Sequence, residues 1–97
     1  MLKIKTPKQM ERYLKGIANH YRIEILLALV QEKNLTLEAI VTKLHANQKT
    51  ISEHTRRLET AGLINKKYKN RYVIHNLSPY GSTFVKFLQQ FQSNQKL

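Results

Sequence analysis

Gln48, Lys49, Ser52 and Arg56 recur at the spacing that puts side chains on one face of an α-helix. They supply an amide, an ammonium, a hydroxyl and a guanidinium. These groups read base edges in the DNA major groove: guanidinium or ammonium to guanine, amide to adenine, hydroxyl to either. The four residues are therefore candidates for base contact. Asn47, Thr50 and Arg57 beside them, and Lys66, Lys67, Lys69 and Arg71 further along, suit phosphate oxygens, which position a protein on a duplex without reading its sequence. Other chemistries find less support. The histidines are His20, His45, His54 and His75, and none is read as having another histidine or a carboxylate at ligand spacing on one face. Ser52 and His54 are two apart on a helix, so they point to different faces and form no catalytic dyad. The chain has 3 glycines and no cysteine, which leaves no glycine-rich phosphate loop, disulfide or thiolate metal site. No enzyme activity, cofactor or metal is expected.

Two short helices must carry these side chains. Leu37, Ile40, Val41 and Leu44 form the buried stripe of the first. Thr36 is its N-cap, Leu35 and Ile40 occupy the staple positions, and Glu38 meets the positive end of the helix dipole. His45 and Ala46 make a corner, and Asn47 caps a second helix with Ile51, Thr55, Leu58 and His54 turned inward. Gln48, Lys49, Ser52, Glu53, Arg56, Arg57 and Thr60 face outward. This is a helix-turn-helix over about 36–62. Gly62 suits a left-handed helix end. Beyond it, Asn65 to Leu77 reads NKKYKNRYVIHNL, where Tyr72 and Ile74 alternate with Val73 and His75 as strands require. Lys69-Asn70 supplies a tight turn. A basic hairpin over about 64–77, free of acidic residues, behind a helix-turn-helix is a wing. The expected fold is mainly α with a small β-hairpin: a single winged helix-turn-helix domain spanning 1–97, with about five helices and a two-stranded wing.

At this point the chain resembles the ArsR-type family of winged-helix transcriptional repressors. IANHYRIEILLALV, residues 17–30, is similar to that family's opening helix, with Asn19 as its cap. Gln48, Thr50, Ile51, Ser52, His54, Leu58, Ala61, Gly62 and Leu63 sit in register with its recognition-helix signature, and LSPYGSTFV, residues 77–85, resembles the opening of a helix common to several winged-helix groups. Three departures stand out. The usual corner glycine is His45, a leucine is replaced by Thr55, and the metal-sensing cysteine pair is missing, with Leu35 to Ile40 in its place. The chain also has no Asp and no His after His75, so the zinc site that some relatives build on the last helix is absent. The resemblance implies DNA binding and repression without metal sensing, and dimerisation through the first and last helices.

Composition fits one small core completed by self-association. A net charge of +11 favours a polyanionic partner. Its excess falls on Asn47 to His75; the segment Tyr21 to Ala46 is balanced. A second basic cluster, Lys3, Lys5, Lys8, Arg12 and Lys15, lies at the N-terminus. Ile23 to Val30 is apolar nearly all round and is expected to be the central buried helix. Met10, Tyr13, Leu14 and Ile17 form a stripe on a helix over about 7–18. Tyr80, Phe84, Phe87, Leu88 and Phe91 form another over about 78–93, opened by Ser78 as cap and Pro79 in the first turn. Both stripes are candidates for a homodimer interface. With no secretory signal or membrane-length apolar run, a cytoplasmic protein without a membrane partner is expected, ending in a frayed QSNQKL tail. The partners anticipated are double-stranded DNA and a second copy. The alternative is a winged helix used for protein interaction or RNA binding without operator specificity.

Overall fold

Each helix begins at a residue whose side-chain oxygen accepts an amide of the first turn, satisfying donors that the helix itself leaves unpaired. In the computed structural model, which describes residues 3–94, Thr6 opens α1 (Pro7–Ile17) in a full capping box with Gln9. Asn19 opens α2 (His20–Gln31). A two-residue strand β1 (Leu35–Thr36) leads into α3 (Leu37–Leu44), capped by Thr36. Asn47 opens α4 (Gln48–Thr60). Strands β2 (Ile64–Lys69) and β3 (Tyr72–Leu77) follow, and Ser78 opens α5 (Pro79–Gln92). The last three residues of the QSNQKL tail lie outside the described residues.

The wing belongs to a three-stranded antiparallel sheet in the order β1-β3-β2. The two-stranded expectation missed β1 because Thr36 serves both as a strand residue and as the cap of α3. Leu35 pairs with His75 and Thr36 with Ile74. Just before β1, Asn34 and Asn76 exchange hydrogen bonds, Asn34 N to Asn76 Oδ1 and Asn76 Nδ2 to Asn34 Oδ1, both at 2.8 Å. These contacts anchor the base of the wing beside α3. The hairpin loop is Asn70-Arg71, one residue later than expected. Asn70 takes the positive φ of 58°, a conformation its short polar side chain tolerates.

The core unites Ile25, Leu26 and Leu29 of α2 with Leu35, Ile40, Ile51, Leu58, Leu63, Ile64 and Val85. α2 is the central element, touching α3, α4, α5 and β3. It is not buried all round, since Val30 is exposed. Ile17, one of the residues expected at a dimer interface, is buried within the chain's own core, while Tyr13, Phe84 and Leu88 are partly buried against that core. Thr55 replaces an apolar residue at little cost because its hydroxyl donates to Ser52 O at 2.9 Å. His45 turns the corner with φ 51°, a left-handed conformation held without glycine.

His75 is fully buried, and its Nδ1 donates to Leu35 O at 2.9 Å. Burial pushes its pKa down, more than the bond to Leu35 raises it. The unfolded chain then binds more protons than the native one below the ordinary histidine pKa of about 6.5, so stability is complete above that pH and is lost as pH falls through it. Thermal unfolding should therefore shift to lower temperature on acidification from about pH 7 to pH 5, less steeply in His75→Gln than in the wild type. A wild-type midpoint that does not move over that range would contradict the buried neutral imidazole.

Candidate nucleic-acid interface

α4 buries Ile51, Thr55 and Leu58 and leaves Gln48, Lys49, Ser52 and Arg56 exposed. All four proposed base-reading side chains thus share the open face of one helix. Asn47, Gln48, Lys49, Ser52 and Glu53 line a shallow concavity at its N-terminal end. Asn47 is already engaged there, its side-chain oxygen accepting from Lys49 N and Thr50 N. Thr50 is half-buried.

Glu53 organises the rest of this face. It accepts from Arg56 Nε at 3.2 Å and Nη2 at 2.6 Å, and from Arg57 Nε at 3.1 Å. Hydrogen bonds from Arg56 and then Arg57 hold the Glu53 carboxyl below its ordinary range. All three side chains are substantially solvated, so the pairs are adjustable contacts rather than a large source of stability. Sequence spacing placed Arg56 and Arg57 correctly near the outward face but did not reveal that one carboxylate gathers both.

On the wing, alternation sorts the cations. Lys66 shares a face with Ile64 and His75, is 13% exposed, and lies 3.7 Å from Glu59. Lys67, Lys69 and Arg71 are exposed, with no ion-pair partner among the described residues. They, rather than Lys66, form the solvent-facing basic edge.

Two residues gained partners that sequence reading missed. Arg22 Nη1 lies 3.0 Å from His54 Nδ1, and the His54 ring stacks on Tyr21. Guanidinium has no acceptor, so His54 must offer Nδ1 as the acceptor and is neutral in this arrangement. Burial, then Arg22 and Arg57, push its pKa down in agreement. The 32-residue separation hid the pair. The reading of the histidines also needs one correction: His20 does have a carboxylate at helical spacing, Glu24, with Nδ1 3.4 Å from it on the exposed side of α2. That is a single pair, and no three His, Cys, Asp or Glu side chains converge on a metal position among the described residues. No helix among them is long and apolar enough to cross a membrane.

Residues 19–66, from the cap of α2 into the wing, match the family of bacterial regulatory proteins of the arsR type. Over that segment the chain belongs to the ArsR family. Solved structures extend the likeness to nearly the whole fold. HlyU from Vibrio cholerae superimposes with a TM-score of 0.83 at 24% identity, covering 95% of this chain and 100% of that one. The transcriptional regulator HlyU from Vibrio vulnificus gives 0.76 at 25% identity over 87% and 88%. Mb0332 from Mycobacterium bovis, described as a homodimeric winged helix-turn-helix DNA-binding domain and a possible ArsR-family regulator, gives 0.77 at 23% over 95% and 90%. No curated protein sequence matches this chain. Among the described residues the fold is a winged helix-turn-helix with five helices, and its family is one of DNA-binding transcription regulators.

Proposed function

We propose that this ArsR-family chain is a sequence-specific transcriptional repressor that binds a roughly palindromic operator as a homodimer. The observation that carries the reading is the exposed polar face of α4 beside a wing edge of unpaired cations. Gln48, Lys49, Ser52 and Arg56 contact bases in the major groove. Lys67, Lys69 and Arg71 run along the adjacent backbone, with Arg57 and the α4 N-terminus at Asn47 and Thr50 adding phosphate contacts. Lys66, held near Glu59, contributes less.

Dimerisation rests on apolar side chains that the protomer leaves open on two neighbouring helices: Met10 and Leu14 on α1, and Tyr80, Phe87 and Phe91 on α5, each between 44% and 61% exposed. Tyr13 joins them, its ring 5.0 Å from Tyr80 and 6.1 Å from Phe84. Phe84 and Leu88 lie at the buried edge of this surface, and Ile17 supports it from below. The homodimer described for Mb0332 is consistent with such an arrangement. A two-fold dimer presents its recognition helices about one helical turn, roughly 34 Å, apart.

Substitutions should separate reading from positioning. Gln48→Ala or Ser52→Ala should cost about 1 to 3 kcal/mol on the preferred duplex and relax its specificity. Lys67→Ala, Lys69→Ala or Arg71→Ala should weaken binding nearly equally on all duplexes and flatten the salt dependence. If each protomer neutralises roughly three phosphates, the wild-type dimer's log-log salt slope is about −5. Fluorescence anisotropy on preferred and scrambled duplexes over a salt series measures both; wing variants that change base preference while α4 variants do not would reverse the roles.

A further inference from the structure

The C-terminal half of α4, the start of α2 and the C-terminal half of α1 border an open cleft of about 380 Å³, and Arg12, Lys15, Arg22, Arg56 and Arg57 all line it. Gly16 and Ala61 also line it, in close approach to one another. A Cβ built on Gly16 lies 2.6 Å from the Ala61 side chain, so the glycine allows the approach. Five cations meet around this one opening. The carboxylates paired with these cations are not among the residues that line it: Glu53 is held by Arg56 and Arg57, and Glu11 lies 3.5 Å from Lys15 in a well-solvated pair.

Arg22 decides the chemistry. It is 8% exposed, and the one hydrogen-bond partner of its guanidinium among the described residues is the neutral His54 ring. Its Nε is buried and has no partner among the described residues. A buried guanidinium with neither a counter-ion nor a full set of acceptors is costly, and desolvation followed by repulsion from Arg57 lowers its pKa. An oxyanion in the cleft would supply the missing charge and accept from Nε, and a rigid guanidinium fork matches such oxygens. Several guanidiniums around one small opening favour a phosphate group, with its higher charge, over a single carboxylate. The volume lies in the range of small-molecule pockets.

We infer that the cleft between α1, α2 and α4 binds a small free phosphate-bearing solute, held by the Arg22 Nε, Arg12 and Lys15, with Arg57 and Arg56 closing over it from the α4 side. Occupancy draws Arg57 and Arg56 away from Glu53. Because Arg56 is also a candidate base contact, the solute then acts as an effector of DNA binding; this consequence rests on the proposed function, whereas the binding itself does not.

The test is a titration of the full chain with inorganic phosphate, against chloride at equal ionic strength, followed by NMR at the arginine Nε–Hε resonances in the absence of DNA. The Arg22 resonance should move saturably with phosphate and not with chloride. Arg12→Gln together with Lys15→Gln, both at exposed positions, should weaken the response about tenfold, the loss expected from charge-assisted contacts. The Arg57 resonance, from the same cleft, should move with that of Arg22, and Arg22→Lys should abolish that Arg57 response in a protein that remains folded by its amide spectrum. A linear response, an equal response to chloride, or a response confined to the wing would overturn the proposal. So would an Arg22 resonance that answers to a short duplex and not to inorganic phosphate, because the site would then belong to the DNA backbone. A failure of DNA binding leaves the phosphate titration unaffected, so the two claims fail separately.

Discussion

Gly81→Ala should destabilise the fold by roughly 3 kcal/mol or more, enough to remove much of the stability of a domain this small. Helix propensity predicts the opposite sign, since alanine is worth up to about 1 kcal/mol over glycine inside a helix. Sterics decide here. Gly81 sits in the first turn of α5, and a Cβ there would press into the Leu63 carbonyl oxygen, well inside van der Waals contact. That carbonyl has no room to retreat, because it also accepts Ser78 N at 3.1 Å. Ser78 Oγ in turn donates to Gly62 O at 2.6 Å and accepts Gly81 N at 3.0 Å. The substitution therefore disturbs the junction of α4, the wing and α5 together. Gly62→Ala is the informative comparison. Its φ of +78° strains any side chain, but its Cβ meets only a Tyr13 ring atom at 3.9 Å, so a cost of about 1 to 2 kcal/mol is expected. Urea unfolding of both variants gives the order directly, and a Gly81→Ala protein as stable as the wild type would contradict the packing described.

Phe87→Ala combined with Phe91→Ala should convert the protein to a monomer and weaken binding to a symmetric operator about a hundredfold, through loss of the linked second half-site. The protomer itself should survive. Both rings are more than half exposed, and they stack on one another at 6.1 Å instead of filling the core. Burying such a stripe against a second copy contributes roughly 25 cal/mol per Å² of apolar area, which a solvated stripe forgoes. Sedimentation with a parallel DNA titration measures both quantities. A double variant that remains dimeric with unchanged affinity would mean that α5 faces something other than a second copy.

Local chemistry accounts for what could be read from the chain before its structure. Caps at Asn19, Thr36, Asn47 and Ser78 are legible because one side chain bonding to its own first turn needs no distant partner, and the stripe Ile51, Thr55, Leu58 fixes which face of α4 is buried. The hairpin is legible from alternation around Asn70. What escaped required contacts between remote segments. β1 is two residues long and exists by pairing with His75 and Ile74. The Arg22–His54 pair and the five-cation cleft join α1, α2 and α4, whose spacing in sequence carries no sign of their meeting. The inner position of Lys66 depends on hairpin register, which sets it opposite the buried His75. Ile17 likewise belongs to a stripe that looks uniform in sequence but divides in space between the protomer core and its open face.

Selection of bound sequences from random double-stranded DNA by the 97-residue chain tests the central claim most directly. The account predicts enrichment of one motif with two-fold symmetry, its half-sites centred about 10 base pairs apart, and loss of that enrichment when Gln48 and Ser52 are both replaced by alanine. Recovery of DNA without any common motif, or of a motif that survives those two substitutions unchanged, would contradict it.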